Sequence, residues 1–386
     1  MAEELRGQAV VLRRVESRAD YKAFVDLPFR LHADDPAWRP PLKSEVLALI
    51  GGAASNPWFL HARAAFWLAY RGKEVVGRIS AQIDDLVLEH MGAGTGQWGM
   101  FECVDDQAIA DALFTVARDW LSGEGMTRML GPFSLSIWDE PGLLVQGHDI
   151  PPTVMMGHHP PYYERLVTNA GYKPVKDLLT YELPIAEGFT DGFNRIVKVA
   201  EKNQKLVIRR VDKSKFDEEA ALILDILNDA WSDNWGFVPL TDEEVAYVGK
   251  KLKPIVFEDL IRIAEVDGEP VGFMMTLPDI NELTADLNGK LFPFGWAKLL
   301  WRLRKPKVSR MRVPLMGVRK SHQSGRLASF MAILMIEYIR RDSVDDFQAV
   351  TGEFGWVLDD NKGMVAIAEV IDGKVSKIYR IYEQAL

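Results

Sequence analysis

The residues best suited to chemistry in this 386-residue chain form one stretch, Leu315-Met316-Gly317-Val318-Arg319-Lys320-Ser321-His322-Gln323-Ser324-Gly325-Arg326-Leu327-Ala328. An apolar run ends at Val318, a basic turn follows, and a helical apolar pattern begins at Leu327. Free N–H groups at a helix N-terminus, at the positive end of its dipole, bind phosphate. Glycine at position 325 admits a pyrophosphate close to the backbone, and Arg319, Lys320 and Arg326 add positive charge. The same pattern also serves as a plain strand-to-helix turn. Proton transfer has three candidates. Glu353 lies among apolar and glycine neighbours, where burial favours the protonated form of a carboxylate; it would serve equally by bonding a backbone N–H. His322 carries a ring that titrates near neutrality. Tyr379 and Tyr382 alternate with polar residues in a final strand, a pattern that core tyrosines share.

Other motifs are set aside. Gly94-Thr95-Gly96-Gln97-Trp98-Gly99 spells G-x-G-x-x-G, but its glycines precede a strand instead of opening a helix, so it reads as a flexible loop. His158-His159 has no second His, Asp or Glu cluster at ligand spacing, and no metal is expected. Cys103 is far in sequence from the glycine turn and reads as a small buried hydrophobe.

Internal repetition organises the chain. Ala69–Gly77 reads A-Y-R-G-K-E-V-V-G and Ala264–Gly272 reads A-E-V-D-G-E-P-V-G. Both are hairpin signals. A strand (Ala9–Val15) and a helix from Tyr21 precede the first; a strand (Leu206–Val211) and a helix (Glu218–Trp231) precede the second. A strand and a long helix follow each, at Gly99–Val104 with Ala108–Leu121 and at Met311–Val318 with Leu327–Arg340. This order predicts a mixed α/β (α+β) protein of two tandem domains, 1–190 and 191–386, each a mixed central sheet flanked by helices. Pro184 and Gly188 break the chain near the boundary, and Asn194–Lys205 reads as a solvated connecting helix.

Composition agrees with two soluble globular domains: 48% of residues are hydrophobic and 26% charged. The net charge of −9 disfavours nucleic acid as partner. A single cysteine fits a reducing compartment. Met1–Arg6 is polar and lacks an apolar signal core, and no stretch reaches the roughly 18 apolar residues of a membrane span. A cytoplasmic protein is expected.

The strand, helix, hairpin, strand, helix order resembles the GNAT acyltransferase fold, present as two copies over nearly the whole chain. GNAT enzymes carry Q/R-x-x-G-x-G/A between a strand and a helix. In one register Gly325 fits, with His322 and Leu327 at the flanking positions; in the other Gln323 and Ala328 fit, with Arg326 at the first glycine. The blocks Gly131–Gly147, Pro160–Tyr163, Gly352–Asn361 and Tyr379–Tyr382 resemble the bacterial ceramide synthase group. That resemblance implies transfer of a fatty acyl group from acyl-CoA to the amine of a sphingoid base by direct attack on the thioester. It implies an acyl-CoA site at Val318, Arg319, Gln323, Ser324, Gly325, Arg326, Leu327, Ala328 and Asn361, with Glu353, His322 and Tyr382 as the acid–base candidates. The tyrosine usual after the Asn is missing, since Met364, Ile367 and Ala368 occupy those positions. The first half lacks the glycine turn, having none between Cys103 and Gln107. Glu102, Trp138, Asp139, Glu140, Tyr162 and Tyr163 there would instead line the acceptor site, with Trp356 from the second half. Two competing readings are a GNAT pair that binds acyl-CoA or lipid without turnover, and a tRNA-dependent aminoacyl transferase, which would need a broad basic groove.

An insertion at about 281–310 interrupts the second half. From Phe294 to Arg312 there are seven Lys or Arg and no acids. Trp296, Leu299, Leu300 and Leu303 share one helical face, with Lys298, Arg302 and Lys305 opposite. This is the pattern of a basic interfacial helix, so 291–312 is a candidate for peripheral contact with the inner membrane.

Overall fold

The computed structural model describes residues 9–386; the polar start Met1–Arg6 lies outside the described residues. The chain forms two compact units. Unit 1 runs up to Leu178 and also takes Leu287–Lys290 and Lys377–Leu386. Unit 2 comprises Leu179–Asp286 and Leu291–Ser376. A single cut at residue 190 therefore does not describe them, because the final strand returns to unit 1.

In unit 1, strands β1 (Val10–Arg14), β2 (Ala62–Arg71), β3 (Glu74–Asp84), β4 (Thr95–Cys103) and β5 (Arg128–Gly131) lie side by side in that order. A short β6 (Leu143–Gln146) pairs with the final strand. Helix α1 (Arg18–Leu31) starts at a capping box in which Ser17 and Asp20 satisfy each other's backbone N–H groups. Helix α2 (Gln107–Gly123) buries Ile109, Ala110, Leu113, Phe114, Ala117 and Leu121. A third helix, α3 (Tyr162–Asn169), follows. The G-x-G-x-x-G stretch is not a flexible loop: Gly96 and Gly99 are inside β4. A Cβ at Gly99 would stand 1.6 Å from the Phe133 carbonyl oxygen, and one at Gly96 would stand 2.6 Å from Leu121. Close packing explains both glycines.

Unit 2 repeats the plan. Strand β7 (Lys173–Pro184) enters it from Leu179 onward, followed by α4 (Asp191–Ala200), β8 (Leu206–Arg210) and α5 (Phe216–Trp231). Helix α4 is not a solvated connector. Phe193, Val197 and Ala200 recur at helical spacing and are buried in the unit's core, leaving only its other face in solvent. Next come β9 (Ile261–Val266), β10 (Glu269–Pro278), the insertion helix α6 (Gly295–Leu303), β11 (Arg310–Val318) and α7 (Arg326–Phe347). Finally β12 (Thr351–Leu358) leads to α8 (Lys362–Val370) and β13 (Lys374–Ala385). The strand order of the unit is β7-β12-β11-β10-β9-β8.

The repeated nonapeptides form equivalent hairpins, β2–β3 and β9–β10. Each turns in two residues, between Arg71 and Glu74 and between Val266 and Glu269. Asp267 and Gly268 both have positive φ, which an Asp-Gly turn matches to the twist of the strands.

The packing of β12 depends on Gly355. Its φ of +139° is one that side chains disfavour, and a Cβ there would lie 2.7 Å from the Leu179 carbonyl oxygen. Gly355→Ala is expected to lower stability by about 2 kcal/mol or more, through backbone strain and this contact. Urea unfolding of the two proteins measures the difference.

Candidate active site

Strands β11 and β12 are parallel, yet they pair only over Arg310–Val313 and Thr351–Phe354. Beyond that point both strands continue but no longer pair. Pro314 is the next residue of β11 and has no N–H to give. It also falls where the β10–β11 ladder slips by one residue, between the pairs Met275–Leu315 and Leu277–Arg312. A bulge carrying a proline opens a sheet locally. The opening is a cleft of about 450 Å³, lined by Trp231, Val313, Pro314, Met316, Phe354 to Leu358, Asn361 and Met364, among others. The Trp231 indole N–H donates to the Met316 carbonyl (3.0 Å), and its ring lies 6.0 Å from that of Trp356. Asn361 caps α8 by accepting the Met364 N–H at 3.1 Å. Glu353 is 1% exposed, and Arg312 on the neighbouring strand approaches it at 3.8 Å. Arg312 also donates to the Gly355 carbonyl at 3.0 Å.

At its other end β11 runs into the glycine turn. A short 3₁₀ segment, Lys320–His322, precedes α7, whose N-cap is Gly325 with φ +85°. No side chain caps that helix, and a Cβ at Gly325 would meet nothing within 4 Å. The first turn thus presents its N–H groups to an open space. The basic side chains of the turn are partly engaged by α5. Arg319 pairs with Asp225 (2.5 Å) and Lys320 with Asp233 (2.5 Å), while the Lys320 N–H donates to Asp229 (2.8 Å). The Gln323 amide holds the Val318 carbonyl at 2.8 Å. His322 is hydrogen-bonded to the Ser321 hydroxyl (2.9 Å) and Arg326 leans over the Phe330 ring.

The equivalent turn of unit 1 is closed. Strand β4 passes to α2 through Asp106, whose carboxylate accepts the Ala108 N–H at 3.0 Å and pairs with Arg71 at 2.9 Å. An anion is already in place where phosphate would bind.

No family model matches the chain. Curated relatives do. The chain is 42% identical over 379 residues to the bacterial ceramide synthase of Caulobacter vibrioides, covering 96% of each chain. It is 41% identical to Protein YghO of Escherichia coli, covering 97% of this chain and 95% of that one. The chain belongs to the bacterial ceramide synthase family. Among solved structures, a tandem GNAT protein from the clavulanic acid biosynthesis pathway superposes with a TM-score of 0.57 at 13% identity, covering 98% of each chain. A GCN5-related N-acetyltransferase from Sphaerobacter thermophilus gives 0.54 at 12% identity, covering 97% of this chain and 95% of that one. These two likenesses are of fold: the protein has the mixed α+β fold of tandem GNAT proteins.

Of the residues singled out by sequence in this family member, Glu353, Trp356 and Asn361 fall on or beside the cleft, and Val318 to Ala328 form the turn at the end of its other wall. Tyr382 does not join them. It is a fully buried residue of unit 1, paired in register with Gly131, and its hydroxyl donates to Glu164 at 2.9 Å. Burial and the Glu164 carboxylate hold its proton firmly, so it is a core tyrosine and no acid for the cleft. Tyr379 likewise is buried in unit 1, donating to the Gly157 carbonyl at 3.0 Å. Sequence reasoning missed Arg312, Pro314 and the cleft face of Trp231. An Arg opposite a Glu on adjacent parallel strands becomes visible only once register is known.

The unit 1 residues build a polar cluster. Tyr163 donates to Glu102 at 2.7 Å and accepts the Cys103 N–H at 2.9 Å; Tyr162 donates to the Cys103 carbonyl at 2.8 Å. His32 bonds the same Glu102 oxygen at 2.8 Å, and Arg78 stands 3.6 Å from the other. Burial alone would raise the Glu102 pKa, but His32, Arg78 and Tyr163 together bring it down to about 2. Burial alone would lower that of His32, and Glu102 reverses this, holding it above the ordinary value. Trp138, Asp139 and Glu140 lie in a separate turn, where Ser136 donates to Asp139 at 2.8 Å. Of the two adjacent histidines, His158 bonds Asp35 at 2.8 Å and His159 accepts the Leu144 N–H at 3.1 Å, its pKa pushed by burial to about 3. Among the described residues no group of three or more His, Cys, Asp or Glu is placed to hold a metal ion. Cys103 is fully buried, which pushes its thiol pKa well up and keeps it inert.

Glu102→Gln is expected to destabilise the protein by about 3–5 kcal/mol, because it leaves Arg78 buried beside a neutral group. The histidine contributes with its own pH dependence. Its folded pKa lies above the unfolded value of about 6.5, so its contribution is complete below that pH and is lost as pH rises through the folded value. The stability gap between wild type and His32→Gln, measured by urea unfolding, should therefore narrow from mildly acidic to alkaline pH.

Proposed function

We propose that this acyl-CoA-dependent N-acyltransferase moves a fatty acyl group from acyl-CoA to the amine of a sphingoid long-chain base, giving a ceramide-type product. The observation that carries the reading is the pairing, in unit 2, of an uncapped helix N-terminus at Gly325 with the parted strands β11 and β12. The turn Val318–Ala328 takes the pyrophosphate. From Val318 back to Val313 the strand spans about 17 Å, a distance the extended arm of CoA bridges, so the thioester reaches the cleft. The relative from Caulobacter vibrioides, named for ceramide synthesis, supplies the acceptor class.

The reaction needs no covalent enzyme intermediate. The neutral amine attacks the thioester carbon, the C–S bond breaks, and the amine nitrogen gives up a proton. Glu353 is the residue assigned to receive it, with Arg312 holding the carboxylate in place. The CoA thiolate takes its proton from water. His322, in the exposed turn, is assigned to the phosphates and not to the amine. Trp356 and Asn361 line the approach. The cluster of Glu102, Tyr162 and Tyr163, with Trp138, Asp139 and Glu140, remains our candidate for acceptor recognition from unit 1.

A long-chain amine must be drawn from a lipid surface, and the insertion suits that role. Leu299 and Leu303 of α6 pack on the core, whereas Phe292, Phe294, Trp296, Leu300 and Trp301 are exposed, Phe292 at 81% and Trp301 at 73%. Arg302 is anchored by Asp286 at 2.7 Å, and Lys298 pairs with the same carboxylate. No helix among the described residues is long and apolar enough to cross a membrane. We read the surface as a peripheral contact, aromatic side chains in the headgroup layer and Arg304, Lys305 and Lys307 on anionic lipid.

Incubation with a long-chain acyl-CoA and a sphingoid base, followed by thiol release and mass spectrometry of the N-acyl product, tests the activity. Gly325→Trp should abolish both signals by filling the phosphate space. Glu353→Gln should lower kcat by roughly 10²-fold or more, with KM little changed. No amide from wild type with any long-chain amine would reject the reading. Replacing Arg304, Lys305 and Lys307 together by Gln should weaken binding to anionic vesicles in sedimentation, by about 1 kcal/mol per charge, and leave neutral vesicles unaffected.

A further inference from the structure

Unit 2 contains a second space, with Glu353 on its lining, that the chemistry above does not otherwise use. It is lined almost wholly by apolar side chains from β10, β11, β12, α7 and α8, and encloses about 560 Å³, part of it open to solvent. Close-packed cores do not leave such voids without a reason. Two features say what fills it. First, it is continuous with the cleft: Val313, Met316, Phe354 and Met364 line both spaces. Second, its wall carries Thr276, which is 2% exposed and whose hydroxyl has no hydrogen-bond partner. Its strand neighbour Met274 shares the same face and the same cavity. A buried hydroxyl without a partner is costly, so this wall is one that solvent or a ligand reaches.

We propose that this cavity receives the acyl chain of the donor, and that its far wall, formed by Ile336, Ile339 and Ser343 of α7 with Ile185, sets the longest chain accepted. The inference rests on the acyl-CoA reading of the Gly325 turn. A chain attached to a thioester in the cleft has this one apolar continuation among the described spaces of unit 2. The lining it shares with the cleft assigns the cavity to the donor. The chain is recognised by burial of methylene groups; Glu353, Arg340 and Ser343 also line the space, and the Thr276 hydroxyl is a polar group of the wall with no hydrogen-bond partner.

Calorimetric titration with CoA, acetyl-, butanoyl-, octanoyl-, lauroyl- and palmitoyl-CoA tests this on wild type, Ile339→Trp and Thr276→Val. Wild-type affinity should rise by up to about threefold per added methylene and then level off at a fixed length. Ile339→Trp should level off several carbons earlier, with CoA and acetyl-CoA bound as by wild type. Thr276→Val keeps the shape and removes the unpaired hydroxyl, so it should bind lauroyl-CoA about threefold or more tighter and acetyl-CoA unchanged. A gain of affinity cannot come from misfolding. If CoA binds but affinity is independent of chain length, or neither variant alters the length dependence, the cavity is not the chain site. Failure of CoA itself to bind wild type would overturn the donor reading, and this inference with it.

Discussion

The functional part of this structure depends on where two parallel strands stop sharing hydrogen bonds. Backbone donors and acceptors inside a sheet must be satisfied, so strands that pair at one end seldom part at the other without a device. Here the device is Pro314, which removes one donor from β11 and sits in a bulge against β10. On the other side of the gap Gly355 lets β12 lie against the backbone of Leu179 and Thr180, where a side chain would not fit. The gap then offers backbone and indole surfaces on either side, and the Trp231 N–H takes up the Met316 carbonyl beside it. The buried pair Arg312–Glu353 stands one rung before the last, Val313–Phe354. Charge, opening and phosphate turn all follow from the course of β11.

The two units differ in whether a side chain caps the helix that follows the central strand. Both have a strand leading to a long helix. In unit 2 the helix begins at Gly325 with no side-chain cap, and its N–H groups are unclaimed by side chains. In unit 1 it begins at Asp106, whose carboxylate accepts from the first turn and pairs with Arg71. The positive end of the dipole is left open at one helix and is already neutralised at the other. Unit 1 also buries Glu102 with His32, Arg78 and Tyr163, a cluster that holds its charge by mutual pairing.

Much of this was legible in the sequence. The repeated hairpins, the glycine turn and the helices that follow have local signals: apolar periodicity, Asp-Gly or Gly-Lys turns, and caps. The absent glycine between Cys103 and Gln107 already separated the two turns. What sequence could not supply was long-range register. Tyr382 reads as a displaced acid until its pairing with Gly131 puts it in the core of unit 1. Gly96 and Gly99 read as a loop until their neighbours Leu121 and Phe133 are known. Asn194–Lys205 reads as solvated because its two buried residues, Val197 and Ala200, are diluted by charge, and helix α6 shows its apolar side but not that Leu299 and Leu303 are covered while Trp301 is bare. Arg312 carries no local signal at all.

On the proposed reading, donor binding is confined to the helix N-terminus at Gly325. Amide hydrogen exchange with and without CoA tests it directly. Adding CoA should slow exchange at Arg326 to Ser329 and leave it unchanged at Gln107 to Ala110. Protection of the Gln107 helix, or no protection of the Arg326 turn at saturating CoA, would contradict it.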